Sequence, residues 1–239
     1  MTTVVTLMWG TAWERYGKTF ADTFVDHWPS DVRLVVVVDK PLPIYGALAQ
    51  PMLSGYPSLW YDNVWDNATI PADVPEKDRW KFDARKWAPQ GIAPLLAARH
   101  VPDGEVMCWL DADVETLRDV PNGFVESLLE EHDVVHLGRP GKWSEIGFWA
   151  CRMSPAVRAW IEDVAETWAT GAVFDMAQWH SAWVFDRCLE RSGLNVCNLT
   201  PNGRGHVWFQ TELGKYMDHK KGARKDRPEG SPERAHAMV

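Results

Sequence analysis

Residues 32–39 read Val-Arg-Leu-Val-Val-Val-Val-Asp. A strand with one face in water alternates apolar and polar residues. This run does not, so both of its faces are covered by other parts of the chain. Just upstream, Trp13, Tyr16, Phe20, Phe24 and Trp28 recur at helical spacing, and Pro29 closes that helix. Before it, Thr3–Met8 is another strand without a polar face. Strand, helix and strand in this order predict a parallel sheet with helices on both sides, and so a three-layer α/β architecture.

The same logic carries down the chain. Residues 40–78 hold six prolines together with Trp60 and Trp65, and are expected to form a long irregular excursion. Arg79–His100 is helical in pattern, with breaks or kinks expected at Pro89 and Pro94. Glu105–Leu110 is a buried strand that runs into Asp111-Ala112-Asp113. Pro121–Glu131 reads as a helix, Asp133–Leu137 as a short strand and Ile146–Met153 as another. Ser154-Pro155 opens a helix as cap and first-turn proline, and Gly171 ends it. Asp175 is placed to cap a further helix reaching about Glu190, and Leu194–Leu199 is a candidate last strand. No internal repeat is visible. Residues 1–225 are expected to form a single domain, and residues 226–239 a flexible basic tail.

Composition bounds the function classes. The chain has 239 residues, 46% hydrophobic and 24% charged, which is ordinary for a globular protein and excludes a disordered one. No apolar run reaches the roughly 18–20 residues needed to cross a bilayer. The N-terminus lacks the basic and apolar regions of a signal peptide, so a cytoplasmic protein is expected. Four cysteines without a Cys-x-x-Cys spacing suggest neither zinc nor a disulfide framework. The net charge of −8 opposes a surface built to coat nucleic acid. Yet residues 215–239 carry seven Lys/Arg against four acids, so this segment is +3 and the remainder −11. That imbalance suggests one local anion site.

Two motifs carry chemistry. In open α/β sheets ligands gather beyond the carboxyl ends of strands, where Asp111 and Asp113 lie. Acids two apart in extended chain project to one side and can share a hard divalent cation. The second motif is His219-x-x-Gly222-x-x-Lys225, a spacing expected about 0.02 times by chance in this composition. An imidazole is a competent ligand for Mn²⁺, glycine lets the backbone approach an anion, and lysine is a point charge for phosphate.

The pair of motifs resembles the metal-dependent GT-A glycosyltransferases, and the glycogenin-like family 8 enzymes in particular. The resemblance implies that Asp111, Asp113 and His219 hold Mn²⁺ (or Mg²⁺) and that Lys225 contacts the donor diphosphate. It implies transfer with retention from a nucleotide sugar, most often a UDP-sugar, to a hydroxyl acceptor. Ser144–Phe148 looks like the family's Asn-Ser-Gly segment with Gly147 in register and the other two residues replaced. The Pro-Trp that follows the family's lysine is missing here. Lys86 lies where the family places basic residues near the nucleotide.

Around this core, Trp9 is a candidate for stacking on the base and Asp39 for accepting a hydrogen bond from a base N–H. An inverting route would need a carboxylate near the acceptor hydroxyl, and Asp175, Glu145 and Asp186 are the candidates. The acceptor is open: a saccharide, a protein or, as a minority reading, a hydroxymethylated pyrimidine in DNA, with loop tryptophans to stack on it. Two other classes remain, a nucleotidyltransferase and a non-catalytic nucleotide- or carbohydrate-binding domain. No Gly-x-Gly-x-x-Gly and no P-loop sequence follows any strand, which removes dehydrogenase and P-loop readings.

Overall fold

The computed structural model describes residues 1–42, 47–52, 68–220, 222 and 230–232. A seven-stranded sheet forms its middle, in the order β3-β2-β1-β4-β7-β6-β8. The strands are β1 (Thr2–Met8), β2 (Arg33–Val38), β3 (Leu48–Pro51), β4 (Val106–Leu110), β6 (Val134–Leu137), β7 (Glu145–Arg152) and β8 (Val196–Asn198). The pairs β3·β2, β2·β1, β1·β4 and β6·β8 are parallel, and β7 runs antiparallel between β4 and β6. A separate ribbon pairs β5 (Val114–Thr116) with β9 (Met217–His219).

Both faces of the sheet are covered, as the unalternating valines require. Val35 and Val37 of β2 enter one core with α2 (Ala84–Ala98), α4 (Pro155–Ala169) and α5 (Ser181–Arg191). Val36 and Val38, pointing the other way, meet α1 (Lys18–His27) and α3 (Phe124–Leu129). The tryptophans do much of the filling. Trp109 on β4 and Trp149 on β7 are cross-strand partners with nearly parallel rings, 6.4 Å apart, and Trp160 of α4 meets Trp149 edge-on at 5.3 Å. Such pairs add about 0.5–1.5 kcal/mol each beyond the area they bury.

Several local expectations are corrected. The first helix opens as a π-turn over Trp13–Gly17 before α1 proper. The excursion after β2 contains β3; Trp60 and Trp65 lie outside the described residues. Glu76–Phe82 is a 3₁₀ segment, and the helix after it begins only at Ala84, capped by Asp83. That helix runs unbroken through Pro89 and Pro94. Inside an exposed helix each proline costs about 3 kcal/mol, through a lost backbone bond and the clash of its ring with the preceding turn. Here Ala88, Pro89, Ile92, Ala93, Pro94 and Leu96 are all buried, and that packing holds the helix together. Asp175 does not cap α5: it ends a 3₁₀ turn, Ala172–Asp175, and the cap is His180. Ser154 caps α4 as expected, its hydroxyl accepting from Val157 N–H. No described helix is long and apolar enough to cross a membrane.

Candidate metal and nucleotide site

Asp111 and Asp113 leave the carboxyl end of β4, at the centre of the sheet. The chain then turns back into β5, with the N–H of Val114 donating to the Asp111 carbonyl. Pairing of β5 with β9 sets Val114 opposite His219. That register brings His219 to the two acids from a point far along the chain. Its Nε2 lies 3.1 Å from Asp113 Oδ1 and 3.8 Å from Asp111 Oδ2. One ligand atom from each of the three residues falls within 4.8 Å of the others.

The register is firmly held. Successive residues of a strand face opposite sides, so a slip by one would exchange His219 for Asp218. Asp218 is fully buried and accepts from Ser231 twice, from N–H at 2.6 Å and Oγ–H at 2.7 Å. Trp208 Nε1–H donates to the Met217 carbonyl, and His206 Nε2 lies 2.9 Å from the His219 carbonyl. Residues 230–232, part of the segment expected to be a flexible tail, are thus tied to β9.

The acids are aimed as well as placed. Asp111 Oδ1 accepts from Gln90 Nε2 at 2.8 Å and from Trp109 Nε1 at 2.9 Å, which leaves Oδ2 toward His219. Gln90 is itself oriented, because its Oε1 accepts from Ser181 Oγ at 2.6 Å. Outer partners of this kind fix ligand geometry and typically change metal affinity about 10–100-fold. A set of two carboxylates and one imidazole suits Mn²⁺ or Mg²⁺ better than a soft ion.

Gly147 explains how His219 fits. Its carbonyl accepts from Asp111 N–H at 3.0 Å, and a Cβ on it would lie 2.4 Å from His219 Cε1. The imidazole occupies the space a side chain would take.

Two cavities meet at Asp111. One, of about 440 Å³, is lined by Trp9, Gly10, Arg15, Tyr16, Lys86, Trp87, Asp111 and Asp113. Asp39 stands beside its wall, accepting from Gly10 N–H through Oδ2 at 2.8 Å, while its buried Oδ1 has no partner among the described residues. The other cavity, of about 590 Å³, contains Asp111, His219, Glu145 and Gly222, with Trp80, Trp87, Trp143 and His180 along one wall. Gly222 has φ +57°, in the left-handed region that favours glycine.

The three carboxylate candidates do not share a cavity. Glu145 is buried, 3.6 Å from His219 Nδ1 and 3.5 Å from Arg139 Nη1. Asp186 lines a separate cavity and receives both Ser144 N–H, at 2.8 Å, and Ser144 Oγ–H, at 2.5 Å. Burial raises its carboxyl pKa, against the pull of those two bonds. Asp175 is exposed and lines neither cavity that meets Asp111. Lys225 lies outside the described residues. The sequence reading did not single out Gln90, Trp109, Trp80 or Trp143. Gln90, Trp80 and Trp143 act through contacts between distant segments, which leave no spacing to find, whereas Trp109 reaches Asp111 from two residues away.

No family model and no curated protein matches the chain. Among solved structures, the chain is similar to the galactosyltransferase LgtC in complex with donor and acceptor sugar analogs. The identity is 12%, over 82% of this chain and 72% of that one, with a TM-score of 0.46. It is also similar to the glycosyltransferase GlyE of Streptococcus pneumoniae TIGR4, at 12% identity and a TM-score of 0.47. That match covers 83% of this chain but only 46% of GlyE.

Proposed function

We propose that this chain is a GT-A-type, metal-dependent glycosyltransferase that moves a sugar from a nucleotide-sugar donor, a UDP-sugar, to a hydroxyl acceptor with retention. One observation carries the reading. Asp111, Asp113 and His219, from two distant segments, converge beyond the carboxyl end of the central strand, where two cavities meet. One site thus offers a cation position with a separate space on each side.

In this reading Asp111, Asp113 and His219 hold Mn²⁺ or Mg²⁺. Bound there, the cation supplies stabilisation of the negative charge that develops on the departing diphosphate. The 440 Å³ cavity takes the nucleotide. Trp9 offers a ring to the base, Lys86 a charge, and the unpartnered Asp39 Oδ1 accepts a hydrogen bond from it. Gly222 brings backbone close to the diphosphate, with Lys225 three residues on.

The sugar passes to the acceptor in the 590 Å³ cavity. The bond from the anomeric carbon to the diphosphate oxygen breaks as the acceptor oxygen bonds to that carbon. The hydroxyl proton leaves with the diphosphate, so the retaining route asks no strong base of the protein. If the route inverts instead, Glu145 is the carboxylate to take the proton, because Asp175 and Asp186 do not line that cavity.

The test is calorimetric titration of UDP, with GDP and TDP as controls, with and without Mn²⁺, on the wild type and Asp113→Ala. Manganese-dependent binding of UDP, lost in the variant, is the expected result. Binding indifferent to both metal and Asp113 would leave a non-catalytic nucleotide-binding domain in its place.

A further inference from the structure

Four exposed large hydrophobic side chains occur among the described residues, and Trp80, 40% exposed, is the one aromatic ring of the four. It also lies at the wall of the cavity that contains Asp111 and His219. The other described tryptophans are buried or half-buried. A single exposed ring is ordinary on a protein surface; what sets Trp80 apart is its place on the wall of this cavity.

Its surroundings form a corner. Trp87 meets Trp80 at 66° and 6.1 Å, and Trp143 meets it at 68° and 5.7 Å. His180, almost wholly buried, touches the three of them at 5.4, 6.5 and 4.6 Å. The imidazole is fixed, its Nδ1 accepting from Trp183 N–H while Nε2 faces Gln178 Oε1 at 2.9 Å. Trp87 Nε1–H donates to the Trp80 carbonyl at 2.7 Å. The corner is therefore preorganised, and the cost of ordering it is met in the fold.

We infer that Trp80, Trp87 and Trp143 form the acceptor platform, and that the acceptor is a neutral saccharide presenting the C–H face of a pyranose ring to Trp80. The inference rests on the glycosyltransferase reading and names the substrate class on the far side of the metal site. Three observations select a sugar over a planar base. Neither Trp87 nor Trp143 lies parallel to Trp80, so the open ring has no indole partner with which to sandwich a flat base, whereas the angled walls beside it follow a puckered ring. Beside the apolar Ile146 and Ala182, the lining includes Gln90, Arg139, Ser144, Glu145 and Ser181, a mixture of donors and acceptors suited to hydroxyl groups. Charge gives a polyanion no reason to dock: the chain is −8, Lys81 is paired with Asp78 at 2.7 Å, and Arg139 lies 3.5 Å from Glu145.

The test uses saturation-transfer NMR with methyl β-glucopyranoside, methyl β-galactopyranoside and their disaccharides, on wild type, Trp80→Ala and Trp80→Phe. A single-stranded oligonucleotide carrying 5-hydroxymethylcytosine is the comparison ligand. UDP binding with Mn²⁺ is measured on the same samples. Transfer to at least one saccharide is expected in the wild type. It should weaken about tenfold or more in Trp80→Ala, be partly kept in Trp80→Phe, and leave UDP binding unchanged. Three outcomes overturn the inference: no saccharide signal in the wild type, a saccharide signal indifferent to Trp80→Ala, or a Trp80-dependent signal from the oligonucleotide in place of the sugars. A Trp80-dependent saccharide signal without UDP binding would instead uphold the platform and remove the donor reading, so the two failures are distinct.

Discussion

The imidazole of His219 rests on the Cα of Gly147, in a notch where a methyl group would stand 2.4 Å from Cε1 and 2.6 Å from Nδ1. The contact joins the strand beside β4 to the ribbon that brings His219 to Asp111 and Asp113.

Gly147→Ala should therefore displace His219 without dismantling the sheet. An overpacked position of this kind costs about 1–3 kcal/mol in stability, which thermal melts will measure. The larger effect expected is on Mn²⁺ affinity, read by calorimetry. Unchanged affinity would show that the ring has room to move and that the notch does not control it.

Gln90→Leu removes a donor to Asp111 and an acceptor from Ser181 at once, while keeping the side chain's volume nearly constant. Mn²⁺ affinity should fall about 10–100-fold, the usual effect of losing an outer partner. Asp113→Ala should exceed that loss. The rise in melting temperature on adding Mn²⁺ follows the same ranking, since a ligand that binds only the folded state stabilises it. Equal effects of the two variants would place Gln90 among the ligands themselves.

Acid should weaken the fold from a definite side. Burial lowers the pKa of His180 and of His136 from 6.5 to about 4. Between those values the unfolded chain binds protons that the folded one refuses. The stability from their neutral forms is present above pH 6.5 and is lost as pH falls toward 4, by roughly 3 kcal/mol at most for His180. His180→Asn keeps an N-cap for α5 and removes the titration. Urea denaturation at pH 7 and pH 4.5 should show a smaller difference for this variant than for wild type.

Ser231→Ala leaves the buried Asp218 carboxylate without one of its two bonds from Ser231. The expected loss is about 1–3 kcal/mol, seen as a lower urea midpoint at unchanged slope. A wild-type midpoint would mean that β9 keeps its register without this tie.

The parallel half of the sheet was legible because unalternating Val runs have only one explanation, burial on both faces. The direction of β7 was not legible: Ile146–Met153 is apolar on both faces whichever way it runs. The prolines of α2 were read as breaks because sequence shows the lost backbone bonds and not the packing that outweighs them. Asp175 was read as a cap because carboxylates usually fill that place, whereas the imidazole of His180 does the same work. At the site, Asp111, Asp113 and His219 stood out through spacing and position. Gln90 and the wall around Trp80 did not, since what they do depends on residues far off in the chain.

The β5–β9 ribbon also sets an order of events during synthesis. Asp111 and Asp113 emerge from the ribosome well before His219 exists. At about 5–20 residues per second, the delay is of the order of seconds. Strands β1 to β4 therefore have time to associate around an unfinished pair of acids. A nascent chain cut short within that interval carries most of a sheet and only two of the three clustered side chains, so the cluster is completed only once translation has passed residue 219.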